Sequence, residues 1–243
     1  MGFTDSRVAC VSVCNGLDWF NSLIDENNNK KGREMKLYDR YILPKLLNCT
    51  CGLKPIRYQR QKVVPLAQGD ILEVGIGSGL NLPYYETSKV KKIWGLDPSE
   101  ELHEMAKKVA SELDLNVEFL LNGAEEIPLL NDSVDTVLIT YTLCSIPEVE
   151  EAIQEIKRVI KPGGAMIFCE HGMAPDENTL KWQERINPYW KKIAGGCNVN
   201  RNIPYLIESA GFSISQLETM YLPGTPKILG YNYWGSAKVI SNV

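Results

Sequence analysis

The chain has 243 residues, 44% of them hydrophobic and 23% charged, and a net charge of −4. That length carries one large core, or a core domain with an added N-terminal segment. Without a basic excess or a run of like charge, the sequence excludes a nucleic-acid track and an acidic tail, and it favours a small or neutral partner.

The seven cysteines (Cys10, Cys14, Cys49, Cys51, Cys144, Cys169, Cys197) are odd in number and irregularly spaced. They argue against a secreted disulfide scaffold and for reduced thiols in a cytoplasmic protein. Cys49-Thr50-Cys51 is a lone pair, and His103 and His171 are the only histidines, so no metal site is expected. No segment approaches the ~18 apolar residues of a membrane span. The apolar stretch 8–14 is short and has no basic leader, which disfavours a signal peptide. Residues 1–6 fit the loose myristoylation pattern, a pattern short enough to match by chance.

Residues 1–32 are interrupted by Asn15, Gly16 and the polar run 25–31, leaving one short amphipathic helix around Leu17, Trp19, Phe20, Leu23 and Ile24 as a lid or packed arm. Helical spacing over 33–47 (Leu37, Tyr41, Ile42, Leu46, Leu47) meets Pro44 as a kink or boundary. A second helix is expected over 55–64, with Arg57, Arg60 and Lys62 on a solvated basic face, and phosphate binding as the rival role of those charges. Residues 1–66 thus read as an N-terminal helical cap, and 67–243 as the main domain.

From Asp70 strands and helices alternate, the pattern of a parallel sheet. Ile71-Leu72-Glu73-Val74 is a buried strand running into Gly75-Ile76-Gly77-Ser78-Gly79, with a helix expected as far as Tyr85. Glycines let backbone approach a ligand, and amides at a helix start face it. A nicotinamide fingerprint would need its third glycine where Leu80 stands, so that cofactor is disfavoured. The second strand, 92–96, ends at Asp97, where an acidic side chain accepts from ribose hydroxyls; the rival role is capping a helix that starts at Pro98. The next helix shows the stripe Leu102, Met105, Ala106, Val109, Ala110, Leu113, with His103 off it and solvated. Strands follow over 117–121 and 134–140, then an amphipathic helix over 148–160 stopped by Lys161-Pro162-Gly163-Gly164, then a strand over 165–169. A last helix over 201–211 and strands over 212–221 and 230–240 complete the chain, and the loop 222–226 borders a substrate pocket.

The ordered words EVGIGSGLN at 73–81, Asp97, NGAEEIP at 122–128, NDSVDTVLITYTL at 131–143 and RVIKPGGAMIFCEHG at 158–172 resemble the class I S-adenosylmethionine (SAM) methyltransferases of the methyltransferase type 11 group. EHG at 170–172, NPYWKKIAGGCNVNR at 187–201 and PKILG at 226–230 are similar to the thiol S-methyltransferase-like branch. The resemblance implies a Rossmann-like, doubly wound α/β sheet of seven strands with an antiparallel C-terminal strand. It implies SAM held at its methionine end by Glu73, Gly75, Gly77, Gly79 and Asn81, at ribose and adenine by Asp97 and Pro98, and near the sulfonium by Thr140 and Tyr141. The family's adenine-binding Asp stands where this chain has Gly123, so Asn122, Gly123 and Ala124 would substitute there through side chain or backbone.

The resemblance further implies methyl transfer to a small or lipophilic acceptor. A thiol is the first choice. A quinone-like phenol or a phospholipid amine, the latter with peripheral membrane contact, is the second, and a non-catalytic SAM-binding module is the rival. His171, just beyond the fifth strand, is the candidate general base, and Tyr141 is a second candidate catalytic residue. Tyr141 and Trp190 would wall the acceptor. Cys197 reads as a packing or pocket residue, since direct displacement needs no protein nucleophile. Arsenite is disfavoured for want of a cysteine cluster.

Overall fold

The computed structural model describes residues 50–240. The expectations for residues 1–49, including the arm, the 33–47 helix and the myristoylation pattern, lie outside the described residues. Among those described, no helix is long and apolar enough to cross a membrane.

In chain order the elements are α1 (Lys54–Val63), β1 (Gly69–Val74), β2 (Val90–Leu96), α2 (Glu100–Glu112), β3 (Val117–Leu120), β4 (Val134–Thr140), α3 (Val149–Val159), β5 (Ile160–His171), α4 (Glu177–Ile193), α5 (Ile203–Ser209), β6 (Phe212–Tyr221), α6 (Lys227–Gly230) and β7 (Tyr231–Val239). The seven strands form one sheet in the order β3-β2-β1-β4-β5-β7-β6. β1 pairs in parallel with β2 and β4, whereas β7 runs antiparallel to both β5 and β6. The strand order reverses between β1 and β4, and ligands of such sheets bind outside the carboxyl ends of the strands at that reversal.

The period of two along the central strands builds both faces. Leu72, Val74, Val137 and Ile139 enter one core with Ile153, Ile156 and Phe168. Ile71, Leu138 and Ile167 enter the other with Val63, Val64 and Ile93. Each such side chain contributes about 1.5–3 kcal/mol on burial. α3 buries Val149, Ala152, Ile153, Ile156 and Val159, a single stripe at helical spacing.

Several expectations are corrected. No α-helix follows the glycine turn. The chain makes turns and two short 3-10 turns, Leu82–Tyr84 and Thr87–Lys89. Pro83 withholds an N–H and disfavours the helical conformation at Leu82, and Tyr85 is drawn inward by a 2.7 Å bond to Glu73. Lys161-Pro162-Gly163-Gly164 does not precede its strand but lies within β5, as an irregularity opposite Val134 and Thr136. His103 is buried, not solvated: its ring stands 5.3 Å from that of Phe119. The chain also carries a 17-residue helix, α4, that sequence periodicity did not single out.

Candidate active site at the carboxyl edge of the sheet

The three glycines after β1 all have positive φ but serve different ends. A Cβ on Gly75 would overlap the Thr142 side chain, and one on Gly79 would press on Leu82 and Ala106. Those two glycines permit close packing. A Cβ on Gly77 would meet only Gly75 O, at 3.9 Å, so the loop presents open space there. Asp97 reaches across from the end of β2: Oδ2 accepts the Gly77 N–H at 3.0 Å and Oδ1 accepts the Ser99 N–H at 2.9 Å. Ser99, not Asp97, caps α2, through the Leu102 N–H. Each Asp97 oxygen keeps acceptor capacity beyond its one amide. Burial pushes the Asp97 carboxyl up from its ordinary value against the two amide bonds. Pro98 beside it is exposed.

Next to the loop lies a buried polar chain. Glu73 accepts from Asn81 Nδ2 at 2.8 Å and from the Tyr85 hydroxyl at 2.7 Å. Asn81 Nδ2 also donates to Thr140 Oγ1 at 2.9 Å. Arg60 completes the set, donating from one nitrogen to Asn81 Oδ1 at 2.7 Å and to Thr140 Oγ1 at 2.6 Å. Burial pushes the Glu73 carboxyl up to about 7, in spite of Tyr85, Asn81 and the Arg60 charge.

Arg60 was expected on a solvated face, and that expectation is overturned: it is 6% exposed, and its Nε has no partner among the described residues. The signal was in the spacing. Arg60 lies four residues after Ile56 and three before Val63, on the inward stripe of α1, whereas Arg57 and Lys62 are exposed.

Beyond β4 the chain turns at Tyr141, a non-glycine residue at φ 56°. Its ring lies 5.3 Å from the Arg60 guanidinium, and its hydroxyl donates to Asn232 Oδ1 at 2.7 Å. Burial pushes the phenol well above its ordinary value. Glu170, wholly buried near the end of β5, accepts the Thr142 and Leu143 amides at 2.8 and 3.1 Å on Oε1, while Oε2 has no partner among the described residues. Burial pushes this carboxyl, too, up to about 7.

His171 follows, its Nε2 3.2 Å from Cys197 Sγ. Trp190 Nε1–H donates to the same sulfur at 3.3 Å. Cys144, His171 and Cys197 bring their ligand atoms within 4.8 Å of one another. The Cys197 thiol is lowered to about 4 by its bond to Cys144 and by His171, against the effect of burial. Burial alone would lower His171, but the Cys197 sulfur raises it. The expectation that no cysteine cluster exists is therefore corrected: two thiols and an imidazole converge here. Sequence spacing concealed this, because His171 and Cys197 are 26 residues apart.

The remaining expected contacts are less well formed. Asn122 and Gly123 are half-buried, and Ala124 packs into the core. Two open surface hollows are lined by residues such as Asn131 and Lys161, or Glu150 and Tyr205, and neither is lined by the glycine loop, Asp97 or the cysteine cluster. At the carboxyl edge, open space over Gly77, spare acceptor capacity on Asp97 and the unpartnered Arg60 Nε suit SAM, which carries ribose hydroxyls at one end and a carboxylate at the other.

Comparison with known proteins agrees. Residues 72–168 match the family model described as methyltransferase domain. Thiol S-methyltransferase TMT1B of Rattus norvegicus is 36% identical over 169 residues, which is 66% of this chain and 68% of that protein. Thiol S-methyltransferase TMT1A of Homo sapiens is 32% identical over 177 residues, 69% of this chain and 71% of that one. The crystal structure of the YcgJ protein from Bacillus subtilis is similar with a TM-score of 0.61 at 16% identity, over 77% of this chain and 99% of that chain. The chain belongs to the class I SAM-dependent methyltransferases, enzymes whose cofactor is S-adenosylmethionine.

Proposed function

We propose that this methyltransferase transfers the methyl group to a small thiol, making a thioether. The observation that carries the reading is the convergence of Cys144, His171 and Cys197 beyond β4 and β5, whose sulfur and imidazole atoms can take a hydrogen bond from the S–H of an incoming thiol. The thiol S-methyltransferases among its relatives support it.

SAM, when bound, supplies a methyl group already activated on a sulfonium. The chain's own residues then position and enclose. Asp97 accepts from the ribose hydroxyls while fixing the Gly77 amide. Arg60 offers to the cofactor carboxylate its Nε–H, which has no partner among the described residues, with Asn81 and Thr140 holding the guanidinium in place. Glu73, buried, holds Asn81 and Tyr85 from behind. Tyr141 and Trp190 wall the acceptor. The general-base role expected of His171 is set aside, because its Nε2 faces Cys197. Proximity and orientation of this kind supply roughly 7–11 kcal/mol in favourable cases.

A phospholipid amine is the second reading, with peripheral membrane contact through α4. Trp182, Tyr189 and Ile193 share one face of that helix and are exposed. The free thiols Cys51, Cys144, Cys169 and Cys197 support a reducing, cytoplasmic setting. The test is release of S-adenosylhomocysteine with alkyl thiols, phenols and ethanolamine-headgroup vesicles supplied in parallel. Thiols are expected to give the highest kcat/KM. A higher value for phenols or vesicles, with thiols inert, overturns the thiol assignment.

A further inference from the structure

Three segments far apart in sequence deliver Cys144, His171 and Cys197 to one place, and the framework around them is built to keep them there. Gln183, fully buried on α4, donates to the carbonyls of Gly172 at 3.0 Å and Val199 at 2.9 Å, tying the residue after His171 to the loop that carries Cys197. Asn198 donates to the Cys144 carbonyl through its backbone N–H at 2.8 Å and its side chain at 3.0 Å. Arg201 donates to the carbonyls of Leu143 and Ile146, on either side of Cys144 and Ser145. Trp190 gives an N–H to the Cys197 sulfur, the kind of outer contact that orients a metal-bound thiolate.

A tetrahedral zinc ion sets sulfur and imidazole ligands about 3.6–3.8 Å from one another, from bond lengths of roughly 2.3 and 2.1 Å. The three atoms here already lie within 4.8 Å of one another, with His171 Nε2 and Cys197 Sγ at 3.2 Å. Movements of about an ångström or less would seat all three on one ion. Cys144 is buried and His171 and Cys197 are half-buried, and among the described residues no fourth His, Cys, Asp or Glu joins the group. Three protein ligands and one open position are the pattern of a catalytic zinc site, not of a structural one.

We propose that Cys144, His171 and Cys197 hold a thiophilic divalent cation such as Zn2+, whose fourth position takes the sulfur of the acceptor. The inference rests on the thiol reading. The acceptor R–SH gives its proton to bulk water on binding, and its sulfur becomes a thiolate ligand. A lone pair of that sulfur forms the new C–S bond. The bond from the methyl carbon to the sulfonium sulfur breaks, and its electron pair stays on the departing S-adenosylhomocysteine. The thioether R–S–CH3 has no charge and is the weaker ligand, so it leaves. Two thiolates and a neutral imidazole balance a divalent cation, and the incoming thiolate adds the negative charge that faces a sulfonium.

The test uses the full chain, stripped with a chelator under anaerobic reducing conditions and dialysed against Zn2+ or Co2+. One metal per chain is expected, with Co2+ giving a thiolate charge-transfer band. Cys197→Ser and Cys144→Ser are expected to lose metal affinity by at least tenfold while SAM affinity by calorimetry stays unchanged, which shows the fold intact. Cys51→Ser is expected to keep both the metal and the band. An alkyl thiol that serves as acceptor, added to the Co2+ form, is expected to shift its spectrum. Substoichiometric metal, an absent band, metal retained in both serine variants, metal lost with Cys51, or a spectrum unmoved by thiol each overturns the proposal. Undiminished thiol methylation by metal-free chain ends the metal inference and leaves the thiol reading standing. Stoichiometric metal without any thiol methylation ends the thiol reading, and with it the role given to the fourth position.

Discussion

The two ends of the same strands carry similar charged side chains and treat them in opposite ways. At the amino ends of β1, β4 and β5, Lys161 bridges Asp70 at 3.0 Å and Asp135 at 2.9 Å, all three about one-third exposed. Burial would lift the Asp135 carboxyl, but the Asp70 amide and Lys161 hold it below its ordinary value. At the carboxyl ends, Glu73 and Glu170 are buried and pushed up to about 7. Solvated charges clasp one edge; at the other crowd desolvated acids, with a Glu170 oxygen and the Arg60 Nε–H that have no partner among the described residues. Desolvating charge costs stability, and a fold that concentrates the cost at one edge keeps it for binding or chemistry.

The glycine loop offers the sharpest way to break the comparison. Gly75→Ala puts a Cβ into Thr142 at a left-handed φ, so strain and overpacking together are expected to cost about 3–5 kcal/mol in urea unfolding. Gly77→Ala has the strained φ without the overlap and is expected to cost only about 1–2 kcal/mol of stability. Its new methyl enters the space over the loop, so SAM affinity by calorimetry is expected to fall at least tenfold. Wild-type affinity in Gly77→Ala would remove the ligand from that space.

Glu73 comes next. Its folded pKa of about 7 lies above the ordinary 4.5, so between those values the folded chain keeps a proton that the unfolded chain releases. Its contribution to stability is therefore fully present below about pH 4.5 and is lost as pH rises towards 7. The loss is on the order of 3 kcal/mol. Glu73→Gln is neutral throughout and escapes it. Between pH 5 and 8 the unfolding free energy of the wild type is expected to fall relative to that of Glu73→Gln; a constant difference would mean that the carboxyl titrates normally.

Asp97→Ala removes the acceptor proposed for the ribose hydroxyls. Hydrogen bonds to a charged group contribute about 1.5–3 kcal/mol, so SAM affinity is expected to drop ten- to a hundredfold. The Gly77 and Ser99 amides lose their partner as well, so thermal unfolding of the apo chain is measured alongside. Unchanged affinity would refute the ribose role.

The sequence made one edge of this site readable and left the other hidden, for physical reasons. β1, the glycine loop and Asp97 are consecutive or governed by the period of strands, so residues near in sequence do the work. Arg60 was legible in principle from Ile56 and Val63, but a charged residue on an apolar stripe is usually assigned to water. The helix after the glycines was misread because Pro83 outweighs the pattern around it. α4 was masked by Pro188 within it and by its many exposed positions. The convergence of Cys144, His171 and Cys197 depends on Gln183, Asn198 and Arg201 drawing loops together across the fold, and no local spacing encodes that.

The smallest expected effect lies at the opposite edge. Lys161→Met removes the bridge to Asp70 and Asp135 and keeps the aliphatic stem. Pairs this exposed contribute about 0.2–1 kcal/mol, and salt screens them. Unfolding at low salt is expected to shift by less than about 1 kcal/mol, with the difference shrinking at high salt, and SAM affinity is expected to hold. Asp135→Ala should cost more than Lys161→Met, because Asp135 Oδ2 also accepts the Asp70 amide at 2.7 Å and lies where Gly69 has no side chain. If Lys161→Met instead weakened SAM binding, the amino edge would be coupled to the ligand edge through β1 and β5, and the division between a passive clasp and a working rim would fail.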